Sequence, residues 1–115
     1  MKDQTATEIK NTAQRYLNTE RFETQRFAAG IGEDVTLEQL SSIDRIYYAA
    51  AKAEVWETII NMADKGKDGA AIAAKMQDAI NNHVARLGRS TSATSDLADR
   101  KLLEAIQAIY SLHFS

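Results

Sequence analysis

The chain has 115 residues, 44% of them hydrophobic and 26% charged, and a formal net charge of −2. These values fit one globular domain and exclude a disordered tail or a coiled-coil rod for the chain as a whole. The charge balance argues against an electrostatically driven nucleic-acid binder and equally against a polyanionic mimic of one. With no cysteine, disulfides, thiol catalysis and thiolate metal sites are excluded, and with no proline the helices are free to run long.

The opening residues MKDQTATEIK contain no apolar stretch, so no secretory signal is visible there. The longest uncharged run, Ala105 to Ser115, is far short of the roughly 20 residues a membrane span needs. The expected location is therefore cytoplasmic, with no membrane partner. Residues 1–64 hold seven basic and eleven acidic side chains, against seven and five in residues 65–115. This is a small asymmetry of the kind solvated faces produce.

The first helix is expected over about residues 5–28. Thr5 and Thr7 offer caps, and Ile9, Ala13, Tyr16, Leu17 and Phe27 fall within one arc at about 100° per residue. Gly30 then supplies a left-handed stop. Phe22 breaks the stripe, sitting about 140° or more away from Ile9 and Phe27. Either the helix is interrupted near Asn18-Thr19, or Phe22 faces outward toward a partner, or the helix is buried on two sides.

The second helix, about 37–65, has the clearest start. Thr36 and Gln39 fit a capping box, with Val35 and Leu40 as the hydrophobic staple. No breaker follows until Gly66, which gives a helix of roughly 40 Å. Its apolar residues form two arcs. One holds Leu40, Ile43, Tyr47, Ala51, Val55 and Met62; the other holds Ile46, Ala49, Ala53, Trp56, Ile60 and Ala63. A helix apolar on two sides is normally central.

Lys65–Gly69 reads as a tight turn with Asp68 as the next N-cap. The third helix follows over about 69–87 on Ile72, Met76, Ala79, Ile80, His83, Val84 and Leu87, with Gly88 as its C-cap. The Ser/Thr-rich segment 89–95 reads as a flexible connector. Thr94 or Ser95 caps a fourth helix over about 96–112, carried by Ala98, Leu102, Ala105, Ile106, Ile109 and Leu112, with Asp96 and Asp99 at its positive end.

No window alternates with period two, so no β-sheet is expected. The fold class is all-α: a single four-helix bundle-like domain over residues 1–115 with a long central second helix. Helices of roughly 36–42 Å cannot be covered by helices of roughly 26–29 Å. A homodimer that buries the overhang is the natural consequence.

Asp64, Asp68 and Gly69 resemble positions 1, 5 and 6 of an EF-hand calcium loop, but Gly66 stands at position 3 and Lys75 at position 12. A cation in place of the strongest ligand favours an ordinary turn. His83 and His113 are the only histidines, and neither has a second ligand at metal-binding spacing nor a glutamate three residues before it. No metal or cofactor is expected. Motifs for zinc proteases, P-loops, serine hydrolases and dinucleotide binding are missing, so the chain reads as a non-enzyme.

Residues 84–97 resemble the turn region of helix-turn-helix DNA-binding domains, with Leu87 and Gly88 well placed and Arg86, Arg89, Ser90 and Ser92 positioned for phosphates. Val84 stands where a small residue is needed, Thr94 where an aliphatic one is, and Asp96 and Asp99 would repel phosphates. DNA binding is the lesser expectation. The favoured one is a protein-interaction module, a small regulator, inhibitor or adaptor, with Phe22, Tyr48, Trp56 and Ile60 as interface residues.

Overall fold

The computed structural model describes the backbone of residues 1–29, 37–88 and 93–115, and the side chains of 1–29, 43–88 and 97–115. The Gly30 stop, the Val35–Gln39 capping box, Leu40, Arg89, Ser90 and Ser92 lie outside the residues so described. Four α-helices follow in order, with no strand among the described residues: α1 (Ala6–Ala29), α2 (Leu37–Asp64), α3 (Gly69–Leu87) and α4 (Ala93–Ile109). A π-helical turn, Tyr110–Phe114, extends α4. The all-α, bundle-like expectation is met.

α1 begins where its cap predicts. The Thr5 hydroxyl oxygen accepts from the Glu8 backbone N–H at 3.3 Å and donates to the Glu8 carboxylate at 3.0 Å, satisfying one of the helix's free donors. The helix runs unbroken through Asn18-Thr19, because the Thr19 hydroxyl bonds back to the Arg15 carbonyl instead of starting a new segment. Ile9, Ala13 and Leu17 are buried against α2.

α1 and α2 form the tightest pair in the molecule and run antiparallel. Three ion pairs mark the register: Lys10–Asp64 at 2.6 Å, Glu20–Lys52 at 3.1 Å and Arg21–Glu57 at 3.5 Å. All are partly exposed, so each contributes little on its own. α4 packs on the other flank of α2, tied by Lys101–Asp44 at 2.8 Å. α3 packs mainly against α4 and the π turn, and Arg86–Asp99 at 2.8 Å joins it to α4.

This arrangement corrects the expectation of surplus apolar surface on α2. Trp56 is 1% exposed and Ile60 8%, with Ala49 and Ala63 buried beside them. α1 covers that flank: the Tyr16 ring stacks on Trp56 with centroids 4.7 Å apart and planes 10° apart. α4 covers the other flank, where Ala51, Val55 and Ile59 join Ala105, Ile106 and Ile109 in one core. A single chain therefore covers the Trp56 arc of α2, while on the other arc Tyr47 is 48% exposed and Met62 lines an open cavity. The Trp56 arc thus offers no surface to a second copy.

The turn between α2 and α3 forms as its residues dictate. Gly66 adopts φ +84°, a conformation that disfavours any side chain, and its N–H closes on the Ala63 carbonyl at 2.9 Å. Asp68 caps α3, its carboxylate accepting from the Ala71 N–H at 3.0 Å. Gly88 does not make the left-handed stop expected of it: it keeps φ −66° and donates to the Val84 carbonyl at 3.1 Å.

α4 starts at Ala93, so Thr94 and Ser95 lie inside its first turn and not at the N-cap position expected of them. At the other end the wider π turn changes the phase of the helix. Leu112, placed on the core stripe by a 3.6-residue period, is 79% exposed, and Phe114 takes the buried position at 0%.

Candidate functional site

The four residues expected at an interface do not converge. Trp56 and Ile60 are core residues of the single chain and are not available to a partner. Tyr48 is half-buried, packed on the core margin, with the Lys52 ammonium 4.6 Å from its ring centroid. Phe22 alone stands out, 63% exposed on the far side of α1 from Ile9 and Leu17. Because no packing is lost, Phe22→Ser should change unfolding free energy by no more than about 0.5 kcal/mol. A urea titration showing a larger loss would mean that the ring packs somewhere after all.

Of the four expected helix-turn-helix contact residues, Arg86 is the one described, and it is engaged. Arg86 points its guanidinium at Asp99 of α4, 2.8 Å away, and at His83 Nδ1, 2.7 Å away. Arginine can only donate, so Nδ1 must accept, and His83 is held as the neutral tautomer with its proton on Nε2. The would-be recognition helix thus neutralises the cation that was to meet phosphate.

Asp64 and Asp68 of the EF-hand-like stretch are committed to Lys10 and to the α3 cap. Among the described residues no group of three His, Asp or Glu side chains is placed to hold a metal. No described helix is long and apolar enough to cross a membrane.

The two histidines are both shifted. Burial, then the charge of Arg86, depresses the His83 pKa below the ordinary 6.5, although Asp99 works the other way. His113 is depressed by burial and by the amino-terminal ammonium; its ring lies 4.8 Å from Tyr16 and 5.3 Å from Trp56. The unfolded chain therefore takes up protons at higher pH than the folded one, and stability falls as pH drops from about 6.5 toward the folded values. Urea midpoints should decline between about pH 7.5 and pH 5.5, and the decline should be shallower in His113→Gln and in His83→Gln. A midpoint that rises over this window would contradict the assignment.

The feature that does bring functional chemistry together lies elsewhere. α2 and α3 barely touch, although a short turn joins them. Between them is an open cavity of about 350 Å³. Val55, Ile59 and Met62 form one wall, Met76 and Ala79 the other, and Leu102 and Ile106 of α4 the floor. Its volume is at the lower end of the range for ligand sites, and the lining is chiefly apolar. Glu54 and Thr58 stand on the α2 rim and Lys75 and His83 on the α3 rim. Neither the Glu54 carboxylate nor the Lys75 ammonium makes an ion pair with another described residue, whereas seven ion pairs occur among described residues elsewhere.

Two of the chain's three methionines, Met62 of α2 and Met76 of α3, line this groove. Thioether side chains are flexible and polarisable, and they suit a surface that must adapt to an apolar occupant. Sequence reading missed the groove. The signal available was the Met76–Ala79–His83 stripe of α3, which was taken as plain core.

Comparison of the chain with protein-family models, curated protein sequences and solved structures finds no match.

Proposed function

We propose that this chain is a non-enzymatic protein-interaction module, a small regulator, inhibitor or adaptor, and that it binds its partner in the groove between α2 and α3. One observation carries the reading: a cavity open at its mouth and lined chiefly by apolar side chains, with Glu54 and Lys75, neither of them ion-paired to another described residue, at its edge. Binding sites are concave and mostly apolar with a few polar groups, which is the make-up of this cavity. The expected interface thus moves from Trp56 and Ile60, which the core uses, to the opposite side of α2.

The experiment is a comparison of captured partners. Ala79 lines the groove and is partly buried at the core margin, so Ala79→Glu places a charged side chain in the slot at some cost in stability. The variant should fold, as judged by circular dichroism, and should lose proteins that the unaltered chain retains from its native host. The same proteins retained by both chains would end the proposal. Retention lost equally on Phe22→Ser would move the contact to α1.

A further inference from the structure

We infer that the cavity between α2 and α3 makes Met76 an oxidation site of the folded chain: hydrogen peroxide entering at its mouth converts the Met76 thioether to a sulfoxide, and the oxidised side chain loosens α3. The inference goes beyond the interaction reading and needs no partner.

Access comes first. Met76 is 4% exposed and belongs to the core with Ile72, Ile106 and Phe114. A side chain buried to that degree is ordinarily sheltered from reagents in solution. Met76 nevertheless lines the cavity, whose volume of about 350 Å³ is many times what one water molecule needs. Hydrogen peroxide is only two oxygens long, so it fits where a few waters fit. The side chains at the mouth, Glu54, Thr58, Lys75 and His83, are polar, and nothing in them turns away a polar oxidant.

Chemistry supplies the second argument. The chain has no cysteine, so no thiol competes for peroxide, and three methionines carry all of its sulfur. A lone pair on the Met76 sulfur attacks one peroxide oxygen and the O–O bond breaks. The other oxygen leaves as hydroxide. The proton on the transferred oxygen passes to that hydroxide through solvent, so the products are one sulfoxide and one water. Sulfur is oxidised by two electrons and peroxide is reduced by two. Trp56, another oxidisable side chain of the core, is 1% exposed and is not among the side chains lining the cavity.

The consequence follows from where Met76 packs. Sulfoxide formation replaces a flexible apolar group by a polar one with a strong acceptor oxygen. The apolar side chains lining the cavity beside it, among them Ile59, Ala79, Leu102 and Ile106, offer that oxygen no donor. Turning it into the cavity withdraws the side chain from the core, and leaving it in place buries an unpaired acceptor. Either way α3 loses part of its hold. α3 is also the element least able to absorb the loss, because it barely touches α2 and is kept in place chiefly by α4 and the π turn. α1 and α2, the tightest pair, stay together.

The test exposes the full chain to hydrogen peroxide and reads each methionine by proteolysis and mass spectrometry. Met76 should gain one oxygen in the folded chain, at a rate that stays flat as urea is raised below the unfolding transition. A rate that climbs with urea would mean that the sulfur is reached only through unfolding, and overturns the inference. Ala79→Leu, which fills part of the cavity, should slow Met76 oxidation several-fold, and an unchanged rate overturns the proposed route. Leucine variants, which keep the volume of methionine, isolate the effect on α3. Peroxide should lower the urea midpoint and the amide-exchange protection of α3 in Met62→Leu, and leave both unchanged in Met76→Leu. A loss that persists in Met76→Leu, or is missing in Met62→Leu, overturns the assignment to Met76.

Discussion

Trp56→Ala should cost about 3–5 kcal/mol of unfolding free energy, the range for truncating a large buried aromatic. Trp56 is 1% exposed and lies at the contact of three elements. Tyr16 of α1 stacks on its face, His113 of the π turn meets it edge-on at 5.3 Å, and Ala63 and Ile60 of its own helix close the pocket beside it. Alanine leaves a void that Tyr16 and His113 cannot fill without leaving their own helices, so both the transfer term and the cavity term apply. A domain of this size has about 5–15 kcal/mol in hand, so the variant should be marginal or unfolded at room temperature. Since the chain has one tryptophan, the measurement is denaturant unfolding followed by circular dichroism, not fluorescence. Trp56→Phe keeps a ring against Tyr16 and should recover more than half of the loss. A Trp56→Ala protein within about 1 kcal/mol of the parent, but altered in assembly, would return the side chain to an interface.

What could be read from the sequence was what is decided within a few residues. Asp68 as a cap and the Thr5 start depend on a side chain meeting a backbone group three positions away, the Gly66 turn on a backbone bond closed at positive φ, and all three formed as read. An outward Phe22 is one of the three readings the sequence leaves open, and it is the one found, on a continuous α1. The errors have a different origin. Hydroxyls in the 89–95 segment cap as well as they lie within a first turn, so the start of α4 was ambiguous. A π turn has no local signature, so Leu112 and Phe114 exchanged places.

The misplacement of Trp56 and Ile60 is more instructive. Two apolar arcs on α2 imply two coverings, but periodicity does not say whether they come from the same chain. α1 could cover Trp56 because Ala13 lets the helices approach and Leu17 and Tyr16 reach across. The groove was illegible for the complementary reason. Its lining residues carry ordinary core patterning, and what opens it is the splay of α3 away from α2 toward α4. That is a consequence of packing at a distance, not of any residue in the slot.

Gly69→Val should cost about 1–3 kcal/mol and detach residues 1–4 from the end of α3. Gly69 is the first residue of α3 and is buried. Its N–H donates to the Gln4 carbonyl at 2.9 Å, and the Gln4 N–H in turn donates to the Met1 carbonyl at 3.1 Å. A Cβ at position 69 would fall on the Met1 carbonyl oxygen and lie 2.5 Å from that of Lys2. Both are backbone atoms, so no side-chain rotation relieves the overlap and the segment has to move. Its departure breaks the Gln4–Gly69 bond and strips the Met1 side chain from the core margin. One term offsets the loss. The Gln4 amide oxygen is buried without a hydrogen-bond partner, and release returns it to water. The net effect should therefore be smaller than for a core truncation, and local in character. The Gly69 position should lose amide-exchange protection and the Met1 methyl resonance should move to its random-coil position, while Ile72 and Met76 stay protected. Ala70→Val, one residue along and exposed, provides the comparison, with a cost no greater than its helix propensity, about 0.5 kcal/mol. Equal losses at positions 69 and 70 would show that the close approach of the opening segment to α3 contributes nothing.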